Sequence, residues 1–510
     1  MDGGSFAGYD SNSEVKCKIK MFHLQINAIR RAVMIGRKKE IRELNKLYDR
    51  NSAEFVAIYG RLRVGKTYLV DETFAGRITF RHAGLAPDVS DAKGQLKKQL
   101  EHFYKSLLLH GMTEGAKPKS WFDAFFLLEK HLQKIDDGSR QLVFIDEMPW
   151  LDTPRSSFIQ AFEGFWNTWA CHRKNFMLVV CGSANSWILD NLINDHGGLY
   201  DRVTYEIKLA PFTLAECEEF YKSNDIRLSR YDIVQSYMVF GGIPYYMRYV
   251  DGEFSLAQNI DKIFFAKNAK LKDEYDRLFA SVFANPESEK SIVDLLSKNN
   301  AGFTRKEIIE KLHLSEGAGI SKSLKALIAS DFAVKYVPFG FSRREPHYKL
   351  TDLFCMFYLR FLKEHDSGNE KFWQQNSSAQ SLSAWRGLAF ENVCFNHVEQ
   401  LKKALGISGV ITRASAWSKR PDDEKGAQID LLIIRNDNVI NMCELKFYSG
   451  EYEVNNEYYR TLLNRESLLQ KYVSPKMVIR NTLVTTFGLK KNEYSNVFSN
   501  VILLGDLFQE

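Results

Sequence analysis

The chain has 510 residues, 45% apolar and 26% charged, with a formal net charge of +6. That composition excludes a disordered or fibrous chain and leaves room for about three domains, each able to bury a core. The positive balance, spread over this length, admits nucleic acid as a partner without requiring it, and no apolar run approaches the roughly 18 residues of a membrane-crossing helix.

The seven cysteines stand singly, with no CxxC pair, which argues against a disulfide framework or zinc site and for a reducing compartment. The expected location is cytoplasmic, with no membrane partner. Residues 1–33, beginning "MDGGSFAGYD", lack the apolar centre of a signal peptide and read as a disordered leader.

Over residues 34–210 the runs "FVAIYG", "ITFRHAG", "QLVFIDE" and "FMLVVCGSA" alternate with amphipathic stretches. Strands alternating with helices predict a parallel sheet covered on both faces. The first run leads into "GRLRVGKT", residues 60–67, which fits G-x-x-x-x-G-K-[ST] between a strand and a helix. Phosphates cradled by backbone N–H groups need glycine at the tight bends, so Gly60 and Gly65 frame the loop and Arg61, Leu62, Arg63 and Val64 fill it. Lys66 is expected to reach the β- and γ-phosphates of ATP and the Thr67 hydroxyl to ligate Mg²⁺, with Tyr68 next in the helix.

In "LVFIDEMPW" an apolar strand ends in Asp146 and Glu147. With a phosphate loop upstream, Asp146 is expected to complete the Mg²⁺ shell and Glu147 to polarise the attacking water; alone, the same residues would read as a solvated acidic turn. "CGSANSW" places Ser183 and Asn185 at the end of the next strand, as γ-phosphate sensors or as a capped strand end. Arg202, in "LYDRVTYEIKLAPF", is a candidate to stabilise charge at the γ-phosphate, and a structural salt bridge accounts for it equally well.

These pieces, together with "IGRKKEIREL" and "GGIPYYM", resemble the archaeal-type ATPases of the STAND branch of AAA-like P-loop proteins. The resemblance implies that Gly242 and Pro244 lie against the nucleotide and link a helical subdomain to its state, and that the turn at residues 36–40 flanks the adenine. Leu62 between two arginines is a minor departure.

Residues 211–284 read as helical throughout, broken at "FGGIPYYM". Over residues 285–365 three short helices and two strands around a loop predict a winged helix-turn-helix. Ser321, Lys322 and Lys325 on its third helix could enter a major groove, and "FSRREPH" could touch phosphates; a spacer or protein-contact module is the alternative. Residues 366–385 read as a polar linker.

Residues 386–510 form a last α/β region. "IDLLII" and "VINMCELKF" predict a hairpin with a loop at 436–438, a register that brings Asp430 opposite Glu444 and sets Lys446 on the same face. Opposed carboxylates repel unless a cation lies between them, which predicts a metal site with Lys446 acting on the reacting phosphate. Glu391, on the amphipathic helix upstream, could add a third carboxylate. Helix, acidic strand and E-x-K strand resemble the PD-(D/E)xK nuclease fold, although Ile429 stands where the proline of the motif's name would be.

The expected fold is therefore α/β: a P-loop NTPase parallel sheet with a helical subdomain, a winged helix-turn-helix, and a C-terminal restriction-endonuclease-like domain. The expected activity is ATP hydrolysis coupled to a DNA-acting, metal-dependent nuclease-like domain. The alternative is a non-cleaving ATP-dependent signalling switch with a degenerate nuclease fold. Cofactors are ATP and Mg²⁺, partners ATP and DNA, and a homo-oligomer is compatible with the sequence.

Overall fold

The computed structural model describes residues 34–87, 94–113, 115–183, 186–193, 199, 201–283, 286–340, 345–365, 368–419 and 427–510. The leader at 1–33, Asn185 and residues 341–344 of "FSRREPH" lie outside them.

Five strands, β1 (Glu54–Gly60), β2 (Ile78–Ala83), β3 (Gln141–Asp146), β4 (Phe176–Ser183) and β5 (Tyr205–Lys208), form a parallel sheet in the order β2-β3-β4-β1-β5. Their near-continuous apolar runs follow from burial on both sides. Along β1, Val56 and Ile58 enter one core with Leu44 and Leu69, while Phe55 and Ala57 enter another with Phe103, Leu128 and Phe162. That alternation has the strand period of two. Helices Lys38–Tyr48 and Lys66–Thr73 thus cover one face, and Gln95–Leu109, Trp121–Lys134 and Phe158–Thr168 the other.

The first of these cores continues without a break into the rest of the chain. It takes in Tyr237 and Phe240 of helix Arg230–Phe240, Ile292 of helix Pro286–Ser297, Phe357 of helix Leu353–Phe361, and Phe390 of helix Gln380–Asn396. It ends in Leu431, Ile433 and Cys443 of the C-terminal sheet. Helix Arg230–Phe240 stops where Gly241 and Gly242 take φ values of +65° and +67°, as the quoted break predicts. A Cβ on Gly242 would come within 2.5 Å of the Phe212 carbonyl oxygen and the Tyr237 ring, so only glycine fits this turn.

Helices Pro286–Ser297, Arg305–Leu312 and Ala318–Ala329 pack with a small antiparallel sheet of β6 (Phe303–Thr304), β7 (Ala333–Tyr336) and β8 (His347–Leu350), in the order β6-β8-β7. The final sheet has the order β13-β12-β11-β10-β9, from β9 (Thr412–Lys419), β10 (Ala427–Arg435), β11 (Val439–Lys446), β12 (Val478–Thr485) and β13 (Asn500–Leu503). The first three run antiparallel and the last two join in parallel, with helix Asn456–Gln470 crossing between β11 and β12.

The linker expected at 366–385 is instead packed over its described part. Trp373 is buried between Phe361 and Trp385, and its backbone N–H donates to Asp261 Oδ1 at 2.7 Å. Adjacent Phe372 and Trp373, set in a polar run, were the sign of an anchor: aromatic area of that size is seldom left in water.

One buried ion pair ties the first sheet to the rest. Arg61 follows β1, and its Nε donates to Asp352 Oδ2 at 2.5 Å, with both side chains no more than 5% exposed. Asp352 also caps helix Leu353–Phe361 by accepting from the Cys355 N–H at 2.8 Å. Asp352→Ala, which strands the buried guanidinium, is expected to cost about 3–5 kcal/mol. Urea unfolding checks this, and a loss below about 1 kcal/mol would show that the pair is no better than a surface bridge.

Candidate functional site

β1 ends at Gly60, where a Cβ would meet the Leu209 carbonyl oxygen at 2.3 Å. Arg63 and Gly65 take φ values of +72° and +94°, curling the loop before helix Lys66–Thr73 begins. The helix has no side-chain cap at its N-terminus, so its first N–H groups face the loop as an anion site. Lys66 is 5% exposed, folded back so that Nζ donates to the carbonyls of Gly60 and Arg61, each at 3.1 Å. Burial pushes its pKa down, and nearby Glu147 opposes that shift.

The acidic residues converge on this loop. Thr67 Oγ1 donates to Asp146 Oδ2 at 2.8 Å, and the Glu147 N–H donates to Asp146 Oδ1 at 3.0 Å. Glu147 holds a left-handed conformation, φ 45°, just past β3; burial raises its pKa and Lys66 counters. Ser183 ends β4, level with Gly60 on β1, and its N–H donates to Glu147 Oε2 at 3.4 Å. Its hydroxyl is buried beside Glu147 without a hydrogen-bond partner of good geometry among the described residues, a polar atom left for a ligand. The adjoining Thr67 and Asp146 oxygens suit a shared Mg²⁺, so the residues present fit the nucleotide and its ion. The structure therefore brings together Lys66, Thr67, Asp146, Glu147 and Ser183.

Other expected residues are placed differently. The side chains of Arg61 and Arg63 are held by carboxylates outside the loop: Arg61 by Asp352, while also donating to the Leu62 carbonyl at 3.3 Å, and Arg63 by Glu274 at 2.7 Å, over the Tyr245 ring at 4.2 Å. Only their backbones remain for a phosphate. Leu62 packs against the core, Val64 is inside it, and Tyr68 is 46% exposed. Gly242 and Pro244 meet the loop through the next residues, since Tyr245 lies under Arg63 and Tyr246 under Arg61. In the turn at 36–40, Arg37 donates to the carbonyls of Val64 at 3.4 Å and Ala210 at 2.7 Å and lies over the Phe212 ring.

Arg202 is corrected. β1 and β5 run parallel, with Val56 beside Tyr205, and the phosphate loop leaves their C-terminal ends. Arg202 is exposed and precedes β5, at the opposite edge, so about 13 Å of strand separates the two levels. It cannot reach a γ-phosphate in its own loop. Strand direction, invisible in a short motif, decides this.

In the C-terminal sheet the expected hairpin register is present, from Leu431 beside Cys443 to Ile434 beside Ile440. Asp430 falls one step beyond, at a bulge: Ile429 and Leu432, three residues apart, enter the same core cluster, and the pairing with β9 shifts between them. The metal site expected from Glu391, Asp430 and Glu444 is not assembled. Among the described residues no group of three or more His, Cys, Asp or Glu side chains is placed to hold a metal ion. Glu444 is taken up instead by Lys446 at 2.7 Å, by Arg465 at 2.8 Å and by the Tyr458 hydroxyl. Asp430 accepts from Gln428 at 2.7 Å, and Glu391 accepts from Asn300. The carboxylates still feel one another: burial and then Asp430 push the Glu391 pKa up to about 8, against Lys349. In this structure the positive charge beside Glu444 comes from Lys446 and Arg465.

Tyr458 and Arg465 were not singled out by sequence reasoning. Both lie on helix Asn456–Gln470 seven residues apart, two turns on one face, which is the signal that could have found them. Lys325 of helix Ala318–Ala329 likewise has a partner, Asp190, which follows β4 of the first sheet. Ser321 and Lys322 are exposed. No helix among the described residues is long and apolar enough to cross a membrane.

Residues 34–250 match the family model described as an ATPase domain predominantly from Archaea. An uncharacterized protein of Methanocaldococcus jannaschii is 24% identical, over 86% of this chain and 92% of its own length. Similar solved structures include a Walker-type ATPase of Pyrococcus abyssi, 16% identical over 65% of this chain and 97% of that one with a TM-score of 0.44. The ORC2 protein of Aeropyrum pernix is 12% identical over 66% and 94%, with a TM-score of 0.39. Residues 34–250 are thus similar to an ATPase domain of the archaeal type.

Lys66→Ala is expected to weaken ATP binding at least about tenfold, the loss of a charge-assisted contact, while thermal unfolding of the apoprotein is little changed. Arg202→Ala is expected to leave both binding and hydrolysis unaltered. Fluorescent-nucleotide titration and phosphate release read the two variants side by side.

Proposed function

We propose that this chain binds ATP with Mg²⁺ and hydrolyses it, and that nucleotide state controls a DNA-acting, nuclease-like C-terminal domain. The observation that carries the ATPase chemistry is the gathering of Thr67, Asp146, Glu147 and the unpartnered Ser183 hydroxyl around the loop that holds Lys66. Bound Mg²⁺ would draw charge from the phosphate oxygens, held by Thr67 and Asp146. Lys66 leaves the loop carbonyls to neutralise the phosphates, Ser183 donates a hydrogen bond, and Glu147 takes the proton of the attacking water.

The domain reading follows the same order: ATPase core at 34–210, helical subdomain at 211–284, winged helix-turn-helix at 285–365, and nuclease-like domain beyond the packed segment. The three helices with an antiparallel β6-β8-β7 sheet support the winged helix. For the C-terminal domain the support is a helix, then an antiparallel hairpin carrying Asp430, Glu444 and Lys446, then a crossover helix to a parallel strand. A second reading, a non-cleaving switch, is favoured by the taking up of Glu444 by Lys446 and Arg465.

Glu147→Gln is expected to bind ATP normally and to hydrolyse it about 10²–10⁴ times more slowly, as befits loss of a general base. An unaltered turnover rate would remove Glu147 from the chemistry. Incubation of plasmid DNA with Mg²⁺ or Mn²⁺, with and without ATP, separates the two readings: cleavage that disappears in Lys446→Ala supports the nuclease, and intact DNA under every condition supports the switch.

A further inference from the structure

The carboxylates of the C-terminal domain are covered by a different part of the chain. Asn300 reaches over to donate to Glu391 Oε2 and accepts from Asn392 at 3.1 Å. The Ser415 hydroxyl donates to the Val337 carbonyl at 2.9 Å, and the Phe339 N–H donates to the Ala416 carbonyl at 2.9 Å. That last bond occupies the free edge of the C-terminal sheet, since β9 is its outermost strand. Lys349 of β8 is 3% exposed, with Nζ over the Phe395 ring at 5.2 Å. Between the two surfaces lies a cleft lined by Asn300, Tyr336, Lys349, Trp417, Gln428 and Asp430, and its volume is about 20 Å³. That is room for about one water molecule. A phosphodiester and a cation that keeps several of its waters do not fit.

We propose that the unit of helices 286–329 and strands β6–β8 is an autoinhibitory cap, which closes the carboxylate centre of the C-terminal domain and must part from it before a cation and a phosphodiester can enter. The proposal rests on the nuclease-like reading above. It fits the absence of a metal geometry among the described residues although carboxylates lie within one another's field: the cap's Asn300 takes Glu391, and the buried Lys349 side chain lines the cleft beside Asp430. The cap is also wired to the nucleotide loop. Three residues after Lys349, Asp352 is clamped by Arg61 of that loop, and the ion pairs Lys208–Asp331 and Lys325–Asp190 fasten the cap elsewhere to the ATPase region. A shift of the loop on binding phosphate therefore acts on the strand that carries Lys349.

The test uses the full chain in three forms: unaltered, Asn300→Ala with Lys349→Met, and that pair with Phe339→Cys and Ala416→Cys added. The two cysteines replace residues joined by a backbone hydrogen bond, a spacing that a disulfide can bridge. Hydrogen exchange at the residue 339 amide reports the cap, and Mn²⁺ binding, with Glu444→Gln as the blank, reports the centre. Opening is expected to lower protection at residue 339 at least about tenfold and to add a Mn²⁺ ion that Glu444→Gln removes. Oxidising the cysteine pair should abolish that ion and reduction restore it. Unaltered protection in the double variant overturns the cap, as does Mn²⁺ binding that survives oxidation, because Lys349 would then be only a local charge. Protection lost without any Mn²⁺ gained overturns the nuclease-like reading separately from the contact. If Asn300→Ala with Lys349→Met does not fold, Asn300→Asp takes its place, replacing the amide donor to Glu391 with a second carboxyl group.

Discussion

A charge taken out of water must meet an opposite charge, and the Arg61–Asp352 pair is where that requirement organises this molecule. The guanidinium comes from the loop that would surround a phosphate, and the carboxylate caps a helix nearly three hundred residues later. Neither partner can move alone without leaving a buried ion, at a cost of about 3–5 kcal/mol. The loop therefore cannot change shape without consequence for β8 and the helix that follows it. Arg63 repeats the pattern with Glu274, so both arginine side chains of the loop are held by carboxylates from other segments.

Much of the first sheet was legible because its signals are local. Each strand of "FVAIYG", "QLVFIDE" and "FMLVVCGSA" is a continuous apolar run ending in a chemical residue, and a parallel sheet puts all such ends on one edge. Lys66, Asp146 and Ser183 were singled out that way, and the structure gathers them at one edge of the sheet. Arg202 failed by the same logic: it precedes its strand, and in a parallel sheet that places it on the far edge. The short strand β5 itself was missed, as four residues beside a loop give little pattern. The packed segment around Trp373 was missed because polarity was counted and the aromatic pair was not.

The C-terminal domain separates what a sequence encodes from what it leaves undetermined. Hairpin register is set by the loop and by alternation, and the predicted pairing is present from Leu431 to Ile434. A bulge at Asp430 breaks the alternation just where the site was placed. Repulsion among the carboxylates demanded positive charge, yet a pattern of carboxylates does not say whether a metal or a side chain supplies it. Arg465 lies 21 residues beyond Glu444 and Lys349 comes from another unit, so neither could be paired from spacing alone.

The interfaces around this centre differ in kind, and that difference indicates where motion is cheap. From the first sheet through helices Arg230–Phe240 and Gln380–Asn396 to Leu431 and Cys443 the contact is one apolar core, and opening it would expose buried area at roughly 25 cal/mol per Å². Over the carboxylates the cap makes polar contacts through Asn300, Ser415 and single backbone hydrogen bonds, and beside them Phe339 packs against the cluster that holds Trp417 and Ile429 and the Tyr336 ring meets Phe395. The polar groups exchange a protein partner for water at a net cost of only about 1 kcal/mol each. A nucleotide-driven shift of β8 would therefore break the polar contacts over the carboxylates first, with the packing of Phe339 and Tyr336 against the C-terminal domain as the apolar resistance it must overcome.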